Sequence, residues 1–308
     1  MGINNKIKNK ISFVILHYLA FQDTIECIDS IISNYDRLCY EIVVVDNYSN
    51  NGSQEKLEIY YSGQNNIYFL KMGYNSGFAK GNNYGYQYAK KYLKPNYIIL
   101  LNNDTILNQK DFLIKIDEIY QSAKFDILGP DIVSLSNNLH QNPMALFGIN
   151  KENLGETIKT TRKLIIQNNI GYLSLRSKAG KLIRGIIKIQ SSFQSNKLSE
   201  KIQENPLLHG SCLIFSSNYI EKYNGLFSGT FMFVEEEILW YIAQKENLKM
   251  LYSPEIKILH KEDASTNLLY GIGRRKRKFI LKNSLKSLLL LREIRKNNLI
   301  YLNDVLAD

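Results

Sequence analysis

Apolar residues over the first third of the chain fall in short unbroken blocks. Ile11-Ser12-Phe13-Val14-Ile15-Leu16, Ile42-Val43-Val44-Val45, Ile67-Tyr68-Phe69-Leu70 and Tyr97-Ile98-Ile99-Leu100-Leu101 are rich in β-branched and aromatic side chains. Such blocks predict strands covered on both faces. Between them Ile25, Ile28, Ile31 and Ile32 share one helical face, and the turn cluster Ser49-Asn50-Asn51-Gly52-Ser53 leads into a helix beginning near Gln54. A Gly- and Asn-rich loop then opens a helix over about 79–93. This alternation predicts an α/β fold with a mainly parallel central sheet, right-handed crossovers and flanking helices.

From about 136 to 205 Asn, Lys, Ser and Ile dominate, with a helical stretch around 155–168 and a basic apolar one, Leu182 to Ile189. The segment is too long for an ordinary loop and reads as a helical insertion near a substrate cleft. Order resumes at Leu207 to Phe215, followed by an acidic segment, Phe233 to Trp240, and a strand from Ile256 that ends on His260. The expected organisation is one domain over 1–270, with halves at 11–135 and 206–270 around the 136–205 insertion. A basic amphipathic helical tail occupies 271–308.

With 308 residues, 44% hydrophobic and 22% charged, the chain has enough apolar material for a large core, which excludes a disordered chain. Its net charge of +10 favours an anionic partner. Cys27, Cys39 and Cys212 are odd in number and lack metal-type spacing, which fits a reducing cytoplasm. The polar start lacks the apolar core of a signal peptide, and no apolar run is long enough for a membrane span. The 21 tyrosines form no RNA-binding pattern, so nucleic acid is not expected as a partner. The first strand-to-helix turn lacks the glycine fingerprint of a nucleotide-dependent oxidoreductase.

Candidate chemistry gathers at strand ends: His17-Tyr18, Asp46-Asn47 and Asn102-Asn103-Asp104. Asp46 is placed either to accept hydrogen bonds from a ligand or to cap the following turn. Gly77, Gly81 and Gly85, with Lys80 among them, suit either close approach to a phosphate or close packing of a helix. Asp104 could bind a divalent cation on a diphosphate, with His260 as a further ligand or as an ordinary surface or core histidine. Glu235-Glu236-Glu237 is either a solvated helix start or the source of a cleft-facing glutamate whose desolvation suits it to general base work. Arg274-Arg275-Lys276-Arg277-Lys278, followed by Leu281, Leu285, Leu288 and Leu289, suits a helix lying on an anionic membrane or one packed on the domain.

Taken in order, these segments resemble glycosyltransferase family 2, the inverting nucleotide-sugar enzymes of GT-A fold, in the rhamnosyltransferase-like group that builds bacterial surface polysaccharides. Glu41 to Ser53 is similar to the family's EIIVVDNxSxDGS, Asn75 to Asn83 to NxGFAxGxN, and Leu101 to Asp104 to a variant DxD region. Gly225 to Glu236 resembles GxFDExFFxYxED, and His260 to Ser265 a late HxxxxS element. The resemblance implies a nucleotide-sugar site at His17, Tyr18, Asp46, Asn75, Gly77, Lys80, Asn82 and Asn103. It implies a Mg or Mn ion on Asp104 and His260, and Glu236 as base with Glu235 beside it. Implied partners are a UDP-, dTDP- or GDP-sugar and a lipid-linked glycan acceptor of capsule, O-antigen or other lipopolysaccharide synthesis. The location expected from the cysteines is cytoplasmic, and peripheral on the inner face of the membrane where the basic tail lies on it. Three positions depart from the pattern: Asn51 and Asn102 replace acids, and Glu236 stands where Asp is common, which keeps Glu235 and Glu237 open as bases. The alternative is a catalytically inactive glycan- or nucleotide-binding relative, against which the retained carboxylates argue.

Overall fold

The four apolar blocks become β1 (Ile11–His17), β2 (Tyr40–Asp46), β3 (Ile67–Lys71) and β4 (Tyr97–Asn102), in the spatial order β3–β2–β1–β4 with every pairing parallel. The computed structural model describes residues 9–171, 200–262 and 273–297. Register sets His17 opposite Asp46 and Leu16 opposite Asn102, so the polar strand ends line up along one edge. Successive side chains of a strand face opposite ways. Ile42 and Val44 accordingly join a core layer with α1 (Phe21–Asn34), α2 (Ser53–Tyr60) and α4 (Phe112–Ala123). Val43 and Val45 join the layer beneath α3 (Phe78–Tyr88), which continues as a π-helical turn over Ala89–Leu93.

Beyond β4 the pairing is mixed. β8 (Cys212–Ser216) runs antiparallel between β4 and β6 (Ile127–Ser134), and β9 (Met250–His260) runs parallel to β6. β5 (Thr105–Ile106) and β7 (Gln203–Glu204) pair antiparallel with β9. In β6, Gly129-Pro130 reads as a turn from sequence. Pro130 is accommodated because the register with β9 shifts there, from Pro130 opposite Ser253 to Asp131 opposite Lys257.

The expected insertion helix is α5 (Lys151–Asn169), begun by Asn150, whose side chain accepts the Asn153 N–H. After α6 (Ser217–Lys222) and α7 (Glu235–Lys245), the basic tail forms α8 (Arg274–Asn297). α5 and α8 meet where Asn168 donates to the Arg274 carbonyl and accepts from Arg277. α8 buries Leu281, Leu288, Leu291 and Ile294, each worth roughly 1.5–3 kcal/mol of hydrophobic stabilisation. All four leucines expected to face either a membrane or the domain therefore pack on the domain, Leu281 and Leu288 buried, Leu285 and Leu289 partly so. Among the described residues no helix is long and apolar enough to cross a membrane. The stretch Leu182 to Ile189, and Ser265 of the HxxxxS element, lie outside the described residues.

Candidate active site at the polar edge of the sheet

The floor of the site is built at the ends of β1 and β2. His17 is fully buried, its Nδ1 2.7 Å from Thr24 Oγ1 and its Nε2 2.7 Å from Ser53 Oγ. Thr24 spends its one hydroxyl proton on the Ala20 carbonyl. It must therefore accept from His17 Nδ1–H and from Asn103 Nδ2, at 2.9 Å, which leaves His17 Nε2 to accept from Ser53. Burial pushes the imidazole down to about 4, in keeping with this neutral form. His17 thus supports the strand end from below, 4.0 Å from Asp46, and has no surface open to a ligand. Asp46, 1% exposed, takes the Ser49 N–H on both oxygens at 3.1 Å. Burial raises its carboxyl above the usual range, while the Ser49 bonds act the other way. Tyr18 is half-buried, and the Leu19 that follows, at φ 60°, donates its N–H to Ser49 Oγ.

A residue absent from the expected set ties this floor to the glycine-rich loop. Asn47 donates to Asn75 Oδ1 and to the Gly77 carbonyl, and its own Oδ1 accepts from the Ser76 N–H at 2.9 Å. The glycines of this loop serve packing. A Cβ on Gly81 would lie 2.5 Å from Leu16, and one on Gly85 2.5 Å from Val14, so α3 lies tight on the sheet. Gly77, at φ +85°, abuts the Phe231 carbonyl, which accepts the Phe78 N–H at 2.8 Å. Asn82 is buried and donates back to the Phe78 carbonyl, whereas Asn83 holds both the N–H and the carbonyl of Leu226 at 2.7 Å. Lys80 is half-buried and forms no ion pair among the described residues.

The pairing of β5 with β9 sets Thr105 opposite His260 and brings Asp104 Oδ1 to 3.3 Å from His260 Nε2. Gln141 fixes the ring. Its amide nitrogen donates to Glu262 at 2.6 Å, so its carbonyl faces His260 Nδ1 at 2.7 Å, and that nitrogen carries the proton. In the neutral ring Nε2 then presents a lone pair to a carboxylate oxygen, and two acceptors this close are matched to a cation between them; in the doubly protonated ring the same contact is a direct ion pair. Ligands about 2.1 Å from an ion and at right angles are about 3.0 Å apart, close to the observed 3.3 Å. The pair therefore fits a divalent ion that keeps diphosphate and water in its shell, although among the described residues no third His, Cys, Asp or Glu joins them as a ligand cluster.

Next to His260 stands His209, ring centroids 5.6 Å apart, its Nδ1 accepting the Ser211 N–H at 3.1 Å. Neither His209 nor Gly210 is suggested by the sequence motifs; an HGS tripeptide just ahead of a predicted strand is the signal available. Gly210 lies against Glu236, where a Cβ would sit 2.7 Å from Oε1. One short turn thus has the Asp104–His260 pair on one side and the acidic helix on the other.

Two consecutive non-glycine residues at positive φ, Phe233 at 72° and Val234 at 73°, precede α7 and aim its first turn. Strain of this kind collects at functional sites. Burial raises the Glu236 carboxyl above its ordinary value, partly countered by backbone N–H groups of Glu236 and Gly210. Glu235 is raised too, by burial first and then by the Glu236 charge, and its Oε1 is buried without a partner. Glu237, pushed up to about 7 by burial, accepts the Ile149 N–H at 2.7 Å and feels Arg295. Its carboxylate ties the segment before α5 to α7, which leaves Glu236 as the glutamate facing Gly210.

Residues 12–180, more than half of the chain, match the family model of glycosyl transferase family 2. The low-salt glycan biosynthesis hexosyltransferase Agl10 of Haloferax volcanii is 22% identical over 260 residues, covering 84% of this chain and 70% of that protein. Among solved structures, S. aureus TarS 1–349 superposes with a TM-score of 0.52 at 13% identity, over 96% of this chain and 76% of its own. The mannosyltransferase PcManGT of Pyrobaculum calidifontis, in complex with GDP-Man and Mn2+, gives 0.52 at 12% identity, over 94% and 74%. GalNAc-T7, with UDP, GalNAc and Mn2+, gives 0.55 at 14% identity over 89% of this chain but only 47% of its own. At such identities the likeness to solved structures is one of fold. Strand order, the strand-end motifs and the sequence match thus agree that the chain belongs to glycosyl transferase family 2, a glycosyltransferase of GT-A fold.

Proposed function

We propose that this chain moves a hexosyl or deoxyhexosyl unit from a UDP-, dTDP- or GDP-sugar to a hydroxyl of a lipid-linked glycan, with inversion, in the synthesis of a surface polysaccharide. The observation that carries the reading is the His209-Gly210 turn, with a cation-matched Asp104–His260 pair on one flank and Glu236 on the other. A donor's diphosphate belongs on the first flank and an acceptor hydroxyl on the second. The names of the similar proteins, a hexosyltransferase and structures holding GDP-Man or UDP with Mn2+, support the donor class.

Asp46, buried at the end of β2, accepts hydrogen bonds from the base or ribose. Asn47 and Asn75 hold the glycine-rich loop against this floor. Asp104 and His260 would hold a Mg or Mn ion, which when bound offsets charge on the departing nucleotide diphosphate. Glu236 takes the proton from the attacking hydroxyl. Adjacent buried carboxyls do not both ionise readily, so the Glu235–Glu236 pair carries one negative charge, and Glu236, with the Gly210 N–H beside it, is placed to bear it as base. Direct displacement by the acceptor oxygen then inverts the anomeric carbon without a covalent enzyme intermediate.

A thermal-shift screen of UDP-, dTDP- and GDP-sugars with and without Mn2+ tests the donor site. A donor at 100 times its Kd adds about 2.7 kcal/mol to folded-state stability, readily seen as a rise in Tm. Absence of a shift with every donor would overturn the reading.

A further inference from the structure

We propose that the outward face of α8 docks on an anionic lipid bilayer. Arg274, Arg275, Lys278, Lys282, Lys286 and Lys296 are all exposed and have no ion-pair partner among the described residues. At 100° per residue they fall in an arc of about 120°, together with Arg292 and the single acid Glu293. Two other basic residues of the helix are turned inward: Arg277 bonds Asn168, and Arg295 reaches the Ile149 carbonyl. The sorting is one-sided. Leu281, Leu288 and Leu291 run along one edge of this arc and, with Ile294, belong to the core.

The inference thus differs from a helix that inserts its main leucine row, because that row is already used. What remains on the outer arc is a basic stripe, with the exposed parts of Leu285 and Leu289, which otherwise pack against the core, near its centre. Ile170, 72% exposed, follows Asn169, whose carbonyl accepts from Arg274. Apolar side chains set among cations suit a bilayer, in which the cations meet anionic headgroups and short apolar groups reach the acyl boundary. A polyanion without an apolar layer gives no place to the leucines, and an ordinary solvated face intersperses acids with its bases. The proposal stands apart from the sugar-transfer reading, since none of these residues belongs to the site.

The test is flotation of the full chain with vesicles of phosphatidylcholine alone or with about a third phosphatidylglycerol, at several salt concentrations. The wild type should float with the anionic vesicles only, and less as salt screens the contact. Reversing Arg275→Glu, Lys278→Glu and Lys282→Glu together should lower bound protein by well over tenfold, from about fivefold per charge. Ile170→Ser, at an exposed position, should lower it while keeping the salt dependence. Unchanged Tm in each variant shows that the exposed face was altered and the fold kept. Equal flotation with neutral vesicles, an unaffected charge-reversed variant, or tighter binding of a 20-nucleotide strand than of anionic vesicles would each overturn the proposal.

Discussion

Gly77→Ala is the substitution whose effect the structure specifies most fully. Gly77 has φ 85° and ψ −173°, a region essentially reserved for glycine that costs other residues about 1–3 kcal/mol. An added Cβ would lie 2.1 Å from the Phe231 carbonyl oxygen, roughly 1 Å inside any tolerable contact, and both atoms at risk are backbone. Relief requires the 75–77 loop and the 231 segment to part, which disrupts the Phe78 N–H bond to Phe231 and the Asn47 bond to Gly77. At about 1 kcal/mol each these bring the loss to about 3–5 kcal/mol. Two other glycines serve as controls. Gly52, at φ +70° with open space around it, should cost about 1–2 kcal/mol as Ala. Gly155, inside α5 with nothing within 4 Å, should gain about 0.5–1 kcal/mol. Urea denaturation of the three variants reads the order directly, and at a slope near 3 kcal/mol per molar Gly77→Ala should lose about 1–1.7 M in midpoint. A Gly77→Ala midpoint no lower than that of Gly52→Ala would refute the close-approach argument.

The same geometry yields other expectations. Glu236→Gln should leave donor-induced thermal shifts intact and slow transfer by about 10²–10⁴, and a wild-type rate would reject it as the base. Because a base acts ionised and burial raises Glu236, the wild-type rate should fall as pH drops through a value above the ordinary 4.5; an acid limb at or below 4.5 contradicts this. His260→Ala should weaken Mn2+ binding by at least tenfold in titration calorimetry, and chelation should remove donor binding that Mn2+ restores; equal Mn2+ affinity would remove His260 from the site. His17 is lowered to about 4 when folded, so the stability it contributes is present above 6.5 and is lost as pH falls towards 4. That gap amounts to about 3 kcal/mol, and His17→Gln should flatten denaturation midpoints across this window; an unchanged slope would contradict it.

Strands β1, β2 and β4 were readable because parallel strands covered on both faces have to be apolar throughout, and their polar ends stand out against that background. β6 was hidden by Gly129-Pro130, a turn signal that pairing with β9 overrides through a register shift. The first part of β9 was hidden in the same way by Ser253-Pro254. At the site, Asp104 and His260 were visible as strand-end residues, and the β5–β9 ladder alone could say that they meet. The glycines supported two readings, and close packing against Leu16, Val14 and Phe231 decides between them. Asn47 is visible as a strand-end residue, but its tie to the glycine-rich loop is not, and the parts of Asn83 and Gln141 are hidden because each works through partners distant in sequence, as when Asn83 holds Leu226.

The antiparallel strand in the middle of the sheet bears on how the chain is made. β4 is finished at Asn102, yet its neighbour β8 ends only at Ser216. At a synthesis rate of 5–20 residues per second the intervening stretch takes about 6–23 s. Throughout that interval the nascent amino-terminal half carries an unpaired, wholly apolar edge, Tyr97 to Leu101, of the kind that recruits other strands. Folding on the ribosome is thus bound to wait for its central strand, and chaperone demand should peak before Cys212 emerges.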